Sequence, residues 1–212
     1  MAELKCGNTA AALEAAETAG ELHPESVVIC TTLARSHAAQ GSFAKAEFLL
    51  QSISIDEQTA FTVYYEMGLL YKQWQRLDKA LEYLREACRL RADVKVAHVQ
   101  VGQVLFQLEK YEDAAGAFEM NITIDAGEPF ALNCLAVTYS AMGKYTEANL
   151  HFRSAIELDA DNDEVLNNLG LNYSYQHKYF ESANCFRTAI ALKPGNSAYH
   201  LRLARVLAHA KK

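Results

Sequence analysis

The sequence repeats with a period of 34 residues. Blocks of that length begin at residues 27, 61, 95, 129, 163 and 197, with no insertion or deletion between them. The seventh residue of every block is apolar, and the eighth is always Gly or Ala. These small residues are Ala34, Gly68, Gly102, Ala136, Gly170 and Ala204. A fixed period of this length is typical of a chain built by stacking one supersecondary unit, so the period limits the fold more than any other feature.

Each block contains two runs of apolar residues at helical spacing. The fourth block shows them as Leu132, Leu135 and Tyr139, followed by Ala148 and Phe152. Spacings of three and four residues place such side chains on one face of a helix. Each block therefore predicts two helices, A and B, joined by a short turn.

Small and bulky residues occupy fixed places in the second run. In the first five blocks the twentieth residue is Ala or Ser and the twenty-fourth is Leu or Phe. We expect the small residue at the twentieth place to face the small residue at the eighth, which lets the two helices approach closely. The bulky residue is expected to fill the space where the helices diverge. Gly41 and Gly143 lie between the runs, where a left-handed residue would end helix A.

One helix pair cannot bury its own apolar face, whereas stacked pairs can. The pattern therefore predicts an all-α fold, a right-handed α-solenoid of stacked antiparallel helix pairs with a concave inner surface. The residue types at these places resemble the tetratricopeptide repeat (TPR) without a break from Val27 to the C-terminus. The late proline of that family occurs only as Pro24 and Pro194, and its loss elsewhere is expected to soften the turns between repeats.

The same register divides the chain into three parts. Residues 1–26 are expected to be a partial repeat, helix B of a truncated repeat, while 27–196 form five complete repeats and 197–212 a C-terminal capping helix. The truncated first repeat suggests a segment of a longer solenoid or multidomain protein. In the alternative, the chain is naturally short, and an irregular N-terminal helix pairs with another chain through Ala12, Leu13 and Ala16.

The composition argues against several classes of partner. The formal net charge is −6 and the basic residues are scattered, whereas nucleic-acid binding needs clustered Lys and Arg. No apolar run reaches the roughly 20 residues that span a bilayer, so membrane insertion is not expected. The five dispersed cysteines fit neither a disulfide framework nor a zinc site, and indicate reduced thiols in a cytoplasmic protein.

Side chains capable of catalysis or metal binding are also dispersed. His98 and His200 hold the same place in repeats that lie too far apart for shared metal ligation. Cys30 and His37 are two helical turns apart, about 10.5 Å, which is too far for a thiolate–imidazole pair. Trp74 is assigned to covering a turn, with anchoring of a partner as the alternative. We therefore predict no catalytic residue, metal or cofactor, and a protein that is not an enzyme.

In the TPR family helix A lines the concave groove. The resemblance therefore implies that the second, fifth, sixth, ninth, twelfth and thirteenth residues of each block point inward. Amide side chains recur at these places, with aromatic side chains among them. The candidate partner-binding residues are Arg35, Tyr65, Gln100, Gln103, Phe106, Phe130, Asn133, Asn167, Asn168, Tyr175 and Arg202. Amides would hold the backbone of an extended peptide, and the rings would supply side-chain pockets. In the alternative, the polar side chains only keep the groove soluble.

The resemblance implies a scaffold or adaptor that binds a partner protein or extended peptide in the groove. Two alternatives stay open. One is a substrate-recognition domain of a larger enzyme, such as a sulfo- or glycosyltransferase. The other is a self-assembling solenoid that associates through its ends.

Some TPR proteins grip the C-terminal carboxylate of chaperones, and this use is not expected here. The grip opens with Lys and Asn at the fifth and ninth places of one block. Here those places hold pairs such as Thr31 and Arg35, or Asn133 and Val137. Asn168 and Arg202 match two later members of that set, but without the opening pair the grip is incomplete.

Overall fold

The computed structural model describes residues 26–210, and within this range the chain forms eleven α-helices and no strand. The helices are α1 (Val27–Ala39), α2 (Phe43–Gln51), α3 (Ala60–Gln73), α4 (Leu77–Leu90), α5 (Lys95–Gln107), α6 (Tyr111–Ile124), α7 (Pro129–Ala141), α8 (Tyr145–Leu158), α9 (Asp163–Tyr175), α10 (Tyr179–Leu192) and α11 (Ser197–Ala210). Odd-numbered helices are A helices and even-numbered helices are B helices. Every A helix begins within one residue of a block boundary, and every B helix begins at the seventeenth residue of its block.

The chain divides into two compact units, the first ending at Val104 and the second beginning at Leu105, within α5. In the first unit α1 pairs with α2 and α3 with α4, and α3 also packs against both helices of the preceding pair. In the second unit α7 pairs with α8 and α9 with α10. There α6 packs on α7, both α7 and α8 pack on α9, and α10 packs on α11. The predicted all-α fold of sequential antiparallel helix pairs is confirmed for residues 26–210.

Some predictions fall on residues outside that range. The apolar residues Ala12, Leu13 and Ala16 belong to residues 1–25, which lie outside the described residues, as do Lys211 and Lys212. No helix within residues 26–210 has both the length and the apolar character needed to cross a bilayer.

The fifteenth residue of each of the first five blocks ends helix A in the left-handed region. Gly41 and Gly143 have φ values of 77° and 76° there, while Gln75, Glu109 and His177 have 60°, 59° and 60°. In each turn the next backbone N–H donates to the carbonyl five residues earlier at 2.8 to 3.0 Å, as in a Schellman motif. The repeat therefore imposes the same turn on glycine and on larger residues.

The helices of a pair are in close contact at the eighth residue of a block, as two glycines show. A Cβ atom on Gly170 would come within 2.9 Å of the Phe186 ring, and one on Gly68 within 2.5 Å of Leu84. The Ser182 hydroxyl donates to the Gly170 carbonyl at 2.7 Å, so the twentieth place does face the eighth. The prediction for the bulky residue needs correction. At the twenty-fourth place it lies over the glycine itself, because the missing Cβ leaves room for it there.

Apolar side chains between successive helix pairs form the core of the second unit. Leu132, Phe152, Val165 and Leu169 belong to one buried cluster. Phe186 packs with Val206 of α11 in another cluster. These contacts hold the A helices α7, α9 and α11 at fixed spacings, and thereby position the polar side chains on their other faces.

Candidate functional site

Three A helices of the second unit are joined by a chain of side-chain hydrogen bonds. Asn168 Nδ2 on α9 donates to Asn133 Oδ1 on α7 at 3.1 Å. The neighbouring Asn167 Nδ2 donates to Asn168 Oδ1, also at 3.1 Å. Arg202 on α11 donates to Asn167 Oδ1. These four residues, here called the amide chain, were all predicted as binding residues, and the structure brings them together.

The guanidinium of Arg202 sets the direction of the whole amide chain. Arginine has donors and no acceptor, so the atom of Asn167 that meets it must be the amide oxygen. The NH₂ group of Asn167 then faces the oxygen of Asn168, whose NH₂ group in turn faces the oxygen of Asn133. Within the described residues this order leaves the NH₂ group of Asn133 to donate to an acceptor outside the chain. The site is therefore richer in donors than in acceptors.

Burial divides the amide chain into supporting and accessible members. The side chains of Asn133 and Asn167 are 6% and 5% exposed, whereas Asn168 and Arg202 are half-buried. Buried polar atoms need hydrogen-bond partners, and the amide chain supplies a donor to the oxygens of both Asn133 and Asn167. The amides are thus already oriented before any ligand arrives, and Asn168 is the amide that borders open space.

A cavity of about 360 Å³ lies beside Asn168 in the second unit. It is lined by Phe106, Val137, Ser140, Ala141, Tyr145, Phe152, Asn168, Leu171 and Tyr175. We call this the aromatic pocket. The rings of Tyr145 and Tyr175 are stacked with centroids 6.1 Å apart, and Tyr175 is 60% exposed. The edge of Phe106 meets the Tyr111 ring at 5.3 Å.

The structure assigns the predicted aromatic residues to different places. Phe106 and Tyr175 line the aromatic pocket. Phe130 at the start of α7 is 45% exposed and is not among the lining residues described. Tyr145 was missed as a site residue because its place, the seventeenth, fits packing between helices. Its partner Tyr175 holds the thirteenth place of the next block, a relation that is invisible within a single block.

The A-helix face of the first unit carries charged side chains paired with one another. Arg35 Nε donates to Glu66 Oε2 at 2.8 Å, and the Glu66 side chain is only 4% exposed. Lys72 Nζ donates to Gln100 Oε1 at 2.7 Å and also to Gln103 Oε1. Because an ammonium group only donates, the atom of each glutamine that meets Lys72 must be the amide oxygen, which leaves the NH₂ group free to face another partner. The same orientation of amides by a cation thus occurs in each unit.

Tyr65, the other predicted residue of the first unit, is half-buried. Its ring stacks on Phe61 at 5.8 Å, and burial raises the pKa of its phenol. The neutral phenol therefore persists to higher pH than that of an exposed tyrosine.

The position of α11, and so of Arg202, depends on a buried carboxylate. Asp163 begins α9 and accepts from Lys193 Nζ at 2.7 Å and from the Tyr199 hydroxyl at 2.5 Å. The hydrogen bond from Lys193, followed by that from Tyr199, lowers the pKa of Asp163. Burial and the bond to Asp163 raise the pKa of Tyr199 to about 12. The carboxylate therefore stays ionised at neutral pH and links α9 to α11.

Trp74 directly follows α3, and its ring stacks on two neighbouring rings. Its centroid lies 5.5 Å from that of Phe43 and 5.9 Å from that of Tyr71, and the Arg76 guanidinium carbon is 4.6 Å from it. These contacts favour the assignment of Trp74 to covering the turn between α3 and α4 over a role as a partner anchor.

The equivalent histidines bond to backbone carbonyls, and burial keeps two of the cysteines as neutral thiols. His98 and His200 make equivalent 2.9 Å hydrogen bonds to backbone carbonyls six residues earlier. Burial raises the pKa of Cys88 and of Cys185 to about 11, which disfavours the reactive thiolate. Among residues 26–210, no group of three or more His, Cys, Asp and Glu side chains is arranged to hold a metal ion.

Comparisons with known proteins place this architecture in a family. Four sequence models, each described as tetratricopeptide repeat, match residues 4–66, 61–94, 131–158 and 163–196. They cover both units and most of the chain. No curated protein matches the chain in sequence.

Solved structures share the fold at low identity. YrrB, described as a TPR protein with an unusual peptide-binding site, is 20% identical over 94% of this chain and 98% of its own, with a TM-score of 0.67. A chain of the APC/C hetero-tetramer Cut9–Hcn1 is 16% identical over 96% of this chain and 40% of its own, with a TM-score of 0.75. MamA from Desulfovibrio magneticus RS-1 is 17% identical over 80% of this chain and 96% of its own, with a TM-score of 0.71. From the repeated sequence, the paired helices and the matching sequence models together, the chain belongs to the tetratricopeptide repeat family.

Proposed function

We propose that this protein binds an extended segment of a partner protein on the A-helix face of its second unit. TPR proteins generally bind other proteins, and YrrB is a structural neighbour described as having a peptide-binding site. The observation that carries the proposal is the amide chain beside the aromatic pocket. Amide N–H groups suit peptide carbonyls, and a ring-lined pocket suits a side chain.

The geometry also argues that the polar side chains do more than keep the surface soluble. Solvation needs exposed groups, yet Asn133 and Asn167 are buried and held in one orientation. Because the donors are already fixed, less conformational entropy is lost when a ligand binds. The proposed organisation remains a partial repeat in residues 1–26, five repeats in 27–196 and a cap in 197–212.

Peptide display tests the proposal without assuming a partner. The full chain is immobilised, a random peptide library is selected on it, and the selected peptides are titrated by calorimetry. We expect Asn133→Ala/Asn168→Ala to weaken binding at least tenfold. Asn184→Ala, which removes an exposed amide from the B helix α10, should change the Kd by less than twofold. Circular dichroism verifies that both variants are folded.

Two results would oppose the proposal. One is that no peptide is selected by the folded chain. The other is that selected peptides bind the double variant as tightly as the wild type.

A further inference from the structure

We propose that the aromatic pocket receives an uncharged aromatic side chain of the bound segment, and that the main-chain carbonyl next to that residue accepts a hydrogen bond from Asn168. The inference rests on the proposed function and adds the chemistry of the ligand. It follows from three properties of the pocket: its walls, its rings and the direction of its one amide.

The walls of the pocket disfavour a charged occupant. Among the described residues, the nine that line it include no Lys, Arg, Asp, Glu or His. A charged side chain entering the pocket would lose hydration and gain no counter-charge, which is unfavourable. The volume of about 360 Å³ lies near the lower end of the range for small-ligand sites, about 300–1,000 Å³. The pocket therefore has room for the largest side chains.

The rings favour an aromatic occupant over an aliphatic one. Phe106, Tyr145, Phe152 and Tyr175 all border the cavity. Phe152 and Tyr175 differ in accessibility, since the side chain of Phe152 is 1% exposed while that of Tyr175 is 60% exposed. A ring entering past Tyr175 would meet the stacked pair of Tyr145 and Tyr175. Ring pairs add about 0.5–1.5 kcal/mol beyond the area they bury.

The amide at the edge of the pocket specifies what must lie beside that ring. Asn168 Nδ2 uses one N–H for Asn133, and Arg202 fixes this orientation through Asn167. The second N–H of Asn168 is a donor. Its partner must be an acceptor, and in an extended peptide the acceptor next to a side chain is a backbone carbonyl. The site thus recognises an aromatic side chain of the ligand together with the adjacent backbone carbonyl.

Defined peptides test this chemistry on the isotope-labelled full chain. The probes are N-acetylated, C-amidated Gly-Ala-X-Ala-Gly peptides with X = Phe, Leu, Ala or Lys, titrated while NMR follows the side-chain amides of Asn168 and Asn133. We expect the Phe peptide to bind at least tenfold more tightly than the Ala peptide and to shift the Asn168 amide signals. The Leu peptide should bind with intermediate affinity, and the Lys peptide no better than the Ala peptide.

Two variants separate the pocket from the amide. Ala141→Trp fills the pocket from its open side and should weaken Phe-peptide binding at least tenfold, whereas Ala191→Trp on the B helix α10 should not. Asn168→Asp keeps the shape but replaces the donor by an acceptor, and should weaken binding at least tenfold. Asn184→Asp is its matched control. Equal affinities for the Phe and Lys peptides, or unchanged binding to Ala141→Trp, would overturn the inference.

Failure of this inference is distinguishable from failure of the proposed function. If library-selected peptides need Asn133 and Asn168 but carry no aromatic residue and bind Ala141→Trp normally, the partner-binding face stands and the pocket assignment falls. The pocket assignment also fails if the peptides bind only to self-associated copies of the chain. Self-association would be seen as a particle mass that rises with protein concentration.

Discussion

Asn133 and Asn168 are 35 residues apart in the chain, and their side-chain amides are hydrogen-bonded at 3.1 Å. Asn167 and Arg202 are also 35 residues apart and hydrogen-bonded. This separation is one repeat plus one residue, so the fifth residue of one block meets the sixth residue of the next. The stacking of A helices thereby turns a sequence period into a continuous polar network with a fixed direction.

The direction of the amide chain should depend on Arg202. Replacing it in Arg202→Leu leaves the buried oxygen of Asn167 without its donor, which we expect to cost about 1–3 kcal/mol of unfolding free energy. The amides also lose their fixed orientation, so a selected peptide should bind several-fold more weakly. Urea unfolding and calorimetric titration measure the two effects. Arg187→Leu, on the exposed face of α10, is the control for loss of positive charge. Unaltered stability and binding in Arg202→Leu would show that the guanidinium does not organise the site.

Close packing at the eighth place predicts opposite effects of one substitution at two glycines. Gly170→Ala pushes a methyl group into the Phe186 ring and should destabilise the protein by about 1–3 kcal/mol. Gly116 is an exposed helical residue with no atom near its missing Cβ. Gly116→Ala should therefore stabilise by about 0.5–1 kcal/mol, since alanine restricts the unfolded chain. Thermal and urea unfolding compare the two. A stabilised Gly170→Ala variant would refute the packing argument, and the double variant Gly170→Ala/Phe186→Leu should recover part of the loss.

The repeated left-handed turn predicts which turns are strained. His177 adopts a φ of 60° at the place where Gly143 has 76°. A non-glycine residue in this region costs about 1 kcal/mol, so His177→Gly should stabilise the protein slightly, and Gly143→Ala should destabilise it by about 1 kcal/mol. Urea midpoints report both changes. Equal effects of the same sign at the two positions would contradict the argument from φ.

The buried carboxylate of Asp163 predicts how stability depends on pH. Its pKa is lowered in the folded state by Lys193 and Tyr199, while in the unfolded chain an aspartate has a pKa of about 3.9. Folding then favours the ionised form. This contribution is complete above the unfolded pKa and disappears as the pH falls through the lower folded value. Asp163→Asn should lower the free energy of unfolding by about 1–3 kcal/mol at neutral pH. Its stability should also fall less steeply than that of the wild type as the pH is lowered, which gives a flatter acid limb of the stability curve. The exposed Asp161→Asn variant serves as the comparison, and a wild-type acid limb in Asp163→Asn would exclude the linkage.

The fold was predictable from the sequence because each repeat carries residues of the same sizes at the places where its two helices pack. The eighth, twentieth and twenty-fourth residues recur with the same sizes, and helices begin where the period places them, at Lys95 and Pro129 for example. The one packing error concerned Phe186 and its equivalents. Residue sizes at these places reveal that the helices are close but not which side chain covers the glycine.

The candidate site was predictable only as a set of places on helix A. The period identified Asn133, Asn167 and Asn168 as neighbours on one face. Their mutual hydrogen bonds depend on the offset between stacked A helices, which the sequence does not state. The role of Tyr145 in lining the aromatic pocket was missed for the same reason. Its ring belongs to a B helix and stacks on Tyr175 of the following block.

A crystal structure of the chain with a display-selected peptide tests the central claim most directly. The account predicts that the peptide lies on the A-helix face of the second unit, with a carbonyl within hydrogen-bond distance of Asn168 Nδ2 and a ring between Tyr175 and Leu171. A peptide bound instead to the B-helix face, with the amide chain and the pocket vacant, would contradict it.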